Sequence, residues 1–326
     1  MQDDYESLLA GAKHILESAG SLRNQEEAML IFDDHTMPLV EYFDRAALEL
    51  RLSLTSVPMK AGTNHGEEPA LVVANMMKSA SLVIALTTFS LAHSRARIDA
   101  AAQGARFLSL PQYSKTLLGH PMVRVDYRAL APTVRKVSDA FTAGSSLHIT
   151  SEAGTDLTVD ISGRAGNYCP AFVEAAGDLG SPPDIEANVS PIEISAHGIA
   201  IVDGSITHPT IGLLSTPVKI VFRDGLAVSL ECMELETEEK LKLLFDDNSV
   251  KRRVLAEVGV GLNPLAELTG AMLSDEGTLG TAHLGLGSNS FVGGKNEIDF
   301  HLDFVMRDVT VEVDGSPVLV RGVIKT

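Results

Sequence analysis

Near the C-terminal end the chain reads Phe300-His301-Leu302-Asp303-Phe304. In a strand, residues i and i+2 leave the same face, so this imidazole and carboxylate would project together while the apolar side chains point the other way. A strand can present two ligands to one metal ion in this way. The pair also has a plainer use as an imidazole and carboxylate that satisfy each other, because either is costly to bury alone. Three more isolated groups of ligand type stand upstream. Glu193 follows Ser190-Pro191-Ile192, and Glu257 interrupts Leu255-Ala256-Glu257-Val258-Gly259-Val260-Gly261. His283 stands alone in Gly280-Thr281-Ala282-His283-Leu284-Gly285-Leu286-Gly287. Each by itself reads as an ordinary satisfied group. Together Glu193, Glu257, His283, His301 and Asp303 form the mixed imidazole and carboxylate set that suits zinc, cobalt, manganese or ferrous iron, as one ion or a close pair. Glycines beside them would let backbone approach closely. A carboxylate not fully engaged with metal, Glu193 or Glu257, would serve as general base. Lys295, in the loop Val292-Gly293-Gly294-Lys295-Asn296, is placed to meet an oxyanion or a substrate carboxylate.

The elements that must position these residues have two textures. In the first half, 28–32, 52–57, 82–86 and 107–110 read as strands. Between them, 38–50 has helical periodicity through Leu39, Phe43, Ala46, Ala47 and Leu50, and 69–77 and 93–103 read as helices, the last ended by Gly104. Alternating units of this size predict an α/β domain with a parallel, doubly wound sheet. No Gly-x-Gly-x-x-Gly or P-loop follows any of these strands, so a nucleotide site has no support. The segment 134–143 reads as a linking helix. Beyond Gly144 come short strands at 147–150, 157–161, 199–202, 218–222, 226–230, 300–306 and 309–313, with helices at 237–244 and 249–255. Arg223-Asp224-Gly225 and Val313-Asp314-Gly315 are hairpin signals. The expected organisation is therefore a Rossmann-like α/β domain over 1–144 and an α+β, β-rich, metal-binding catalytic domain over 145–326.

Bulk properties narrow the partners. A net charge of -17 argues against nucleic acid and anionic membrane, which favour basic surfaces. The acidic start Met1-Gln2-Asp3-Asp4-Tyr5-Glu6 carries no signal-peptide pattern. The apolar run over 79–91 is too short and interrupted to span a bilayer. Cys169 and Cys232 supply neither a disulfide framework nor a cysteine-rich zinc site, so a reducing cytoplasm is the expected compartment. His35 follows Asp33-Asp34 at a strand's C-terminal end, where open α/β sheets bind ligands, yet by itself reads as a loop residue, and His65, His93 and His120 have no spacing partners.

Over residues 140–326 these motifs resemble the thermophilic-type metallo-aminopeptidases, the group of aminopeptidases T and S. They also resemble that family's outlier, 2,5-dihydroxypyridine 5,6-dioxygenase. The resemblance runs through Ala153-Gly154-Thr155-Asp156, Glu193 with Val202-Asp203-Gly204, Ala256-Glu257-Val258-Gly259, Gly280-Thr281-Ala282-His283, Gly293-Gly294-Lys295, His301-Leu302-Asp303 and Val313-Asp314-Gly315. It implies that Glu193, Glu257, His283, His301 and Asp303 hold metal, and that the protein is a homodimer. Two departures set the chain between its relatives. The peptidases carry a tyrosine shortly after the histidine matched by His283, where this chain has Ser290. The dioxygenase carries histidine where this chain has Glu257. Metal-dependent hydrolysis of amide or peptide bonds, aminopeptidase-like, is the first reading, with zinc, cobalt or manganese and a small-molecule or short peptide substrate. Ring cleavage by a non-haem Fe(II) dioxygenase, acting on a hydroxylated N-heteroaromatic, is the alternative.

Overall fold

The computed structural model describes residues 5–245 and 249–325. The acidic start Met1-Gln2-Asp3-Asp4 lies outside them. The chain divides into two compact units, one of Met1–Tyr127 with Ala171–Pro183 and one of Arg128–Pro170 with Asp184–Thr326. The helix over 127–143 thus groups with the second unit, and a later excursion of the chain belongs to the first.

The first unit holds helices α1 (Tyr5–His14), α2 (Met37–Leu50), α3 (Leu71–Met77), α4 (Arg95–Ala102) and α5 (Lys115–Gly119). Strands β1 (Glu27–Phe32), β2 (Ser53–Pro58), β3 (Leu82–Leu86), β4 (Arg106–Ser109) and the short β8 (Leu179–Gly180) form one parallel sheet in the order β2-β1-β3-β4-β8. Every residue of β3 is buried, as a parallel strand covered on both faces requires. Helix α2 buries Leu39, Tyr42, Phe43, Ala46 and Ala47, the stripe its periodicity predicts. Helix α4 starts where Ser94 Oγ accepts the Arg97 N–H, and Gly104 follows its end with φ +97°, the left-handed turn that favours glycine.

The second unit opens with α6 (Tyr127–Ala143) and carries α7 (Leu235–Phe245). Its strands are β5 (Ser146–Thr150), β6 (Asp156–Asp160), β7 (Gly166–Cys169), β9 (Glu186–Val189), β10 (His197–Val202), β11 (Ser205–Ile206), β12 (Gly212–Leu213), β13 (Val218–Arg223), β14 (Leu226–Cys232), β15 (Leu255–Gly261), β16 (Ala282–Gly287), β17 (His301–Met306), β18 (Thr310–Val313), β19 (Ser316–Val320) and β20 (Val323–Ile324). They form two antiparallel sheets, β14-β13-β10-β6-β5-β18-β19-β20 and β12-β11-β17-β16-β15-β9-β7. Asp224-Gly225 and Asp314-Gly315 make the two-residue hairpins β13–β14 and β18–β19, with positive φ at both residues of each. The helix expected over 249–255 is instead a single 3₁₀ turn, Val250–Arg253, and Leu255 already opens β15. Ala256, Val258 and Val260 alternate with polar or glycine positions, a strand period that overrides the helical reading.

Candidate metal centre

Four neighbouring strands, β17-β16-β15-β9, build the site on one sheet face. Gly285 on β16 pairs with Glu257 on one side and Asp303 on the other. His283 pairs with Gly259, His301 with Gly287, and Glu186 with Gly261. Paired residues share a face, as do residues two apart, so Glu186, Glu257, His283, His301 and Asp303 all project the same way. The opposite face carries Val258, Val260, Leu284, Leu286, Leu302 and Phe304, all buried. A Cβ at Gly259 would lie 2.1 Å from His283 Nε2, and one at Gly285 would lie 2.7 Å from His301 Cε1 and 2.9 Å from Glu257 Cβ. The glycines are therefore the space into which the ligand-type side chains lean.

The side chains form two overlapping groups, Glu186 with Glu257 and His283, and Glu257 with His301 and Asp303. His283 Nε2 is 3.0 Å from Glu186 Oε2 and 3.7 Å from Glu257 Oε1. His301 Nε2 is 3.5 Å from Glu257 Oε2 and 3.2 Å from Asp303 Oδ1. The Glu257 carboxylate thus turns one oxygen to each imidazole. His301 Nδ1 donates to the Ser288 carbonyl at 2.8 Å, which leaves Nε2 to the carboxylates. Glu186, Glu257, His283 and Asp303 are buried, whereas the His301 side chain keeps 21% of its exposure and is the open side of the group.

Asp184 and Glu276 add two more buried carboxyls beside the set. Burial pushes Glu257, Asp184 and Glu276 above the usual carboxylate range, with neighbouring carboxylates adding to it. Burial also works against charge on the imidazoles, but the carboxylates outweigh it. Asp303 and Glu257 lift His301 to about 9, and Glu186 and Glu257 raise His283. Against its own burial, Asp303 is held low by His301 and His283.

Glu193 lies apart from these groups. Its Oε2 pairs with Arg164 Nη2 at 2.7 Å, and its Oε1 accepts Lys295 N at 2.6 Å and Asn289 Nδ2 at 3.1 Å. Burial raises its pKa less than these donors lower it, so the carboxylate is held below its ordinary range. The structure places Glu186 where Glu193 was expected, because Glu186 lies in β9 while Glu193 lies beyond that strand's end. Lys295 is exposed on the loop between β16 and β17.

A family model described as NicX, 2,5-dihydroxypyridine 5,6-dioxygenase, matches residues 21–326. The chain belongs to this family. No curated protein matches it. Among solved structures, the 2,5-dihydroxypyridine dioxygenase from Pseudomonas putida KT2440 superposes with a TM-score of 0.84 at 19% identity, over 99% of this chain and 98% of that one. Wild-type AmpT from Thermus thermophilus superposes with a TM-score of 0.69 at 15% identity, over 98% of this chain and 99% of that one. At these identities the likeness establishes a shared fold. Among the described residues no helix is long and apolar enough to cross a membrane.

The residues of this NicX-family chain fit a divalent cation. Asp184 Oδ1 and Glu276 Oε1 are buried without a hydrogen-bond partner among the described residues, and Glu186 Oε2 has only the His283 imidazole beside it. Such groups are costly unless something positive sits among them. The signal that marked His301 and Asp303 was also present upstream. Asp184-Ile185-Glu186-Ala187-Asn188 alternates polar and apolar residues in the same way, and it follows Pro182-Pro183 as a strand start would. Glu276 had no such signal, since it follows the short helix Met272–Asp275 and comes close only through the fold.

Proposed function

We propose that this chain is a metal-dependent ring-cleaving dioxygenase that acts on a hydroxylated N-heteroaromatic of the 2,5-dihydroxypyridine type. The observation that carries this reading is the family match over residues 21–326 on a sheet face that presents two imidazoles and carboxylates. His301, Asp303 and one of His283 or Glu257 would hold ferrous iron in a two-histidine or one-histidine carboxylate set, and the iron would supply oxygen activation. The chain's own residues do the positioning. The Ser288 carbonyl fixes the His301 tautomer so that Nε2 faces the carboxylates. The apolar back face and the buried Glu257 and His283 keep water from the inner side, leaving the His301 side for substrate. Lys295, exposed on the adjoining loop, supplies a cation for an ionised ring hydroxyl.

One observation favours hydrolysis as a second reading. Glu257 turns separate oxygens to His283 and His301, and Glu186 completes the first group. A carboxylate so placed suits two cations. Zinc, cobalt or manganese there would supply water activated near neutrality for attack on an amide. Glu257 would then be engaged by both cations, so its oxygens would serve as ligands and not as the general base.

The test is oxygen uptake by iron-reconstituted protein with 2,5-dihydroxypyridine, in air and under nitrogen. Ring loss coupled to oxygen consumption, absent under nitrogen, is expected. Turnover at full rate under nitrogen, or cleavage of amino-acid amides by the zinc, cobalt or manganese form, would replace this reading with the second. A homodimer acting on a small molecule, in the cytoplasm, completes the proposal.

A further inference from the structure

The residue that sequence reading placed on the metal has a different partner in the structure. The loop over 288–297 joins β16 to β17 and so runs between His283 and His301. Glu193 and Arg164 grip it from outside. Glu193 Oε1 accepts the backbone N–H of Lys295 and Nδ2 of Asn289, and Oε2 pairs with Arg164. Arg164 Nη1 donates to the Gly293 carbonyl at 2.6 Å. Arg164 is buried, and its pairing with Glu193 keeps only 9% and 21% side-chain exposure on the two partners, so these are short, charge-assisted bonds in a poorly solvated place.

The loop is also knitted internally around Asn289, which is fully buried. Asn289 Oδ1 accepts Asn296 N at 2.7 Å, and its carbonyl accepts Val292 N and Gly294 N. A Cβ at Gly294 would fall 1.9 Å from Asn289 Cγ, so the backbone closes directly on that amide. The near end of the same loop reaches the metal face. The Ser288 carbonyl accepts from His301 Nδ1, and the Phe291 ring stands edge-on to the imidazole with centroids 4.9 Å apart.

We propose that Glu193 is a positioning residue: with Arg164 it latches the 288–297 loop, and the latched loop fixes the His301 ring through the Ser288 carbonyl and the Phe291 ring. The proposal rests on His301 being a metal ligand, as read above, and not on which reaction follows. Outer partners of this kind decide which ring nitrogen is offered and at what angle, and losing one typically lowers metal affinity by about 10- to 100-fold.

The test uses full-length, metal-free protein, hydrogen exchange, and titration with Co(II) alone. Glu193→Gln is expected to speed exchange in 288–297, to weaken Co(II) binding by about 10- to 100-fold, and to leave the number of Co(II) bound unchanged. Arg164→Lys, the milder variant should Glu193→Gln fold poorly, shifts both readouts in the same direction. Lys295→Ala keeps the backbone N–H that Glu193 holds, so its exchange and affinity remain at the wild-type values. Wild-type exchange and affinity in Glu193→Gln would overturn the latch. So would loss of a bound Co(II) with loop exchange unchanged, which would return Glu193 to the ligands. If His301→Ala binds Co(II) like the wild type, the metal reading itself fails, while the exchange arm still reports on the latch.

Discussion

Glu186 and Glu193 are both carboxylates after prolines, and only Glu186 faces the imidazoles. The difference is where the strand ends. Glu186 belongs to β9 and inherits its face from the ladder with Gly261, while Glu193 follows a turn and meets Arg164. His301 and Asp303 were legible as a same-face pair, and Glu257 and His283 as lone polar groups, in apolar, strand-like runs. Asp184 and Glu186 carried the same alternation, whereas Glu276 did not, because what marks it is burial beside the others. Two predictions belong at this scale. Gly259→Ala puts a methyl where His283 Nε2 sits, so it should destabilise the metal-free protein by about 1–3 kcal/mol in urea unfolding and weaken metal binding. Against its own burial, His301 is lifted from 6.5 to about 9 in the metal-free fold by its carboxylate partners. A raised pKa stabilises the fold fully below the unfolded value, near 6.5, and that contribution is lost as pH rises through about 9. The stability difference between wild type and His301→Gln should therefore shrink between pH 6.5 and about 9. Over the same window metal affinity should rise, because protons compete for the ring. A difference that grows with pH would contradict the pairing.

At the scale of elements, periodicity carried most of what could be read. The four parallel strands of the first unit, helix α2 and both Asp-Gly hairpins lie where pattern and turn chemistry put them. The failures have physical causes. The segment 249–255 mixes basic and apolar residues in a helix-like spacing, yet Val250 is exposed in the 3₁₀ turn and Leu255 is already taken by the buried strand β15. The two-residue strand β8 is too short to have a period of its own and exists only because it pairs with β4. The parallel sheet also has a polar clamp between the start of β4 and the residue before β1. Arg106, buried in β4, makes a two-point pair with Glu26, Nη1 to Oε1 at 2.9 Å and Nη2 to Oε2 at 2.7 Å. The bond to Arg106 holds Glu26 below its ordinary pKa, so its contribution is present above the unfolded value and fades on acidification. Glu26→Ala leaves a buried guanidinium unpaired and should cost about 2–3 kcal/mol at pH 7 in chemical unfolding. An unchanged midpoint would show that the clamp contributes nothing net.

At the scale of the molecule, the family match extends from the parallel-sheet unit through the β-rich unit, so both units belong to the family's fold. Helix α3 leaves Leu71, Val72 and Met76 exposed, an apolar strip that a homodimer would have reason to cover. Light scattering should give about twice the chain mass of 34.7 kDa, and Val72→Asp should reduce it towards one chain. A monomer at micromolar concentration would remove the dimer from the proposal. The overlap of two ligand groups on Glu257 is the feature that most needs a direct answer, because ring cleavage and hydrolysis share the face and differ in what occupies it. Elemental analysis of protein purified without oxygen gives that answer. Iron at about one per chain, lost in His301→Ala and in Asp303→Ala, is the expected result for a two-histidine or histidine-carboxylate iron site. Zinc, cobalt or manganese at about two per chain, or metal content untouched by either substitution, would contradict it.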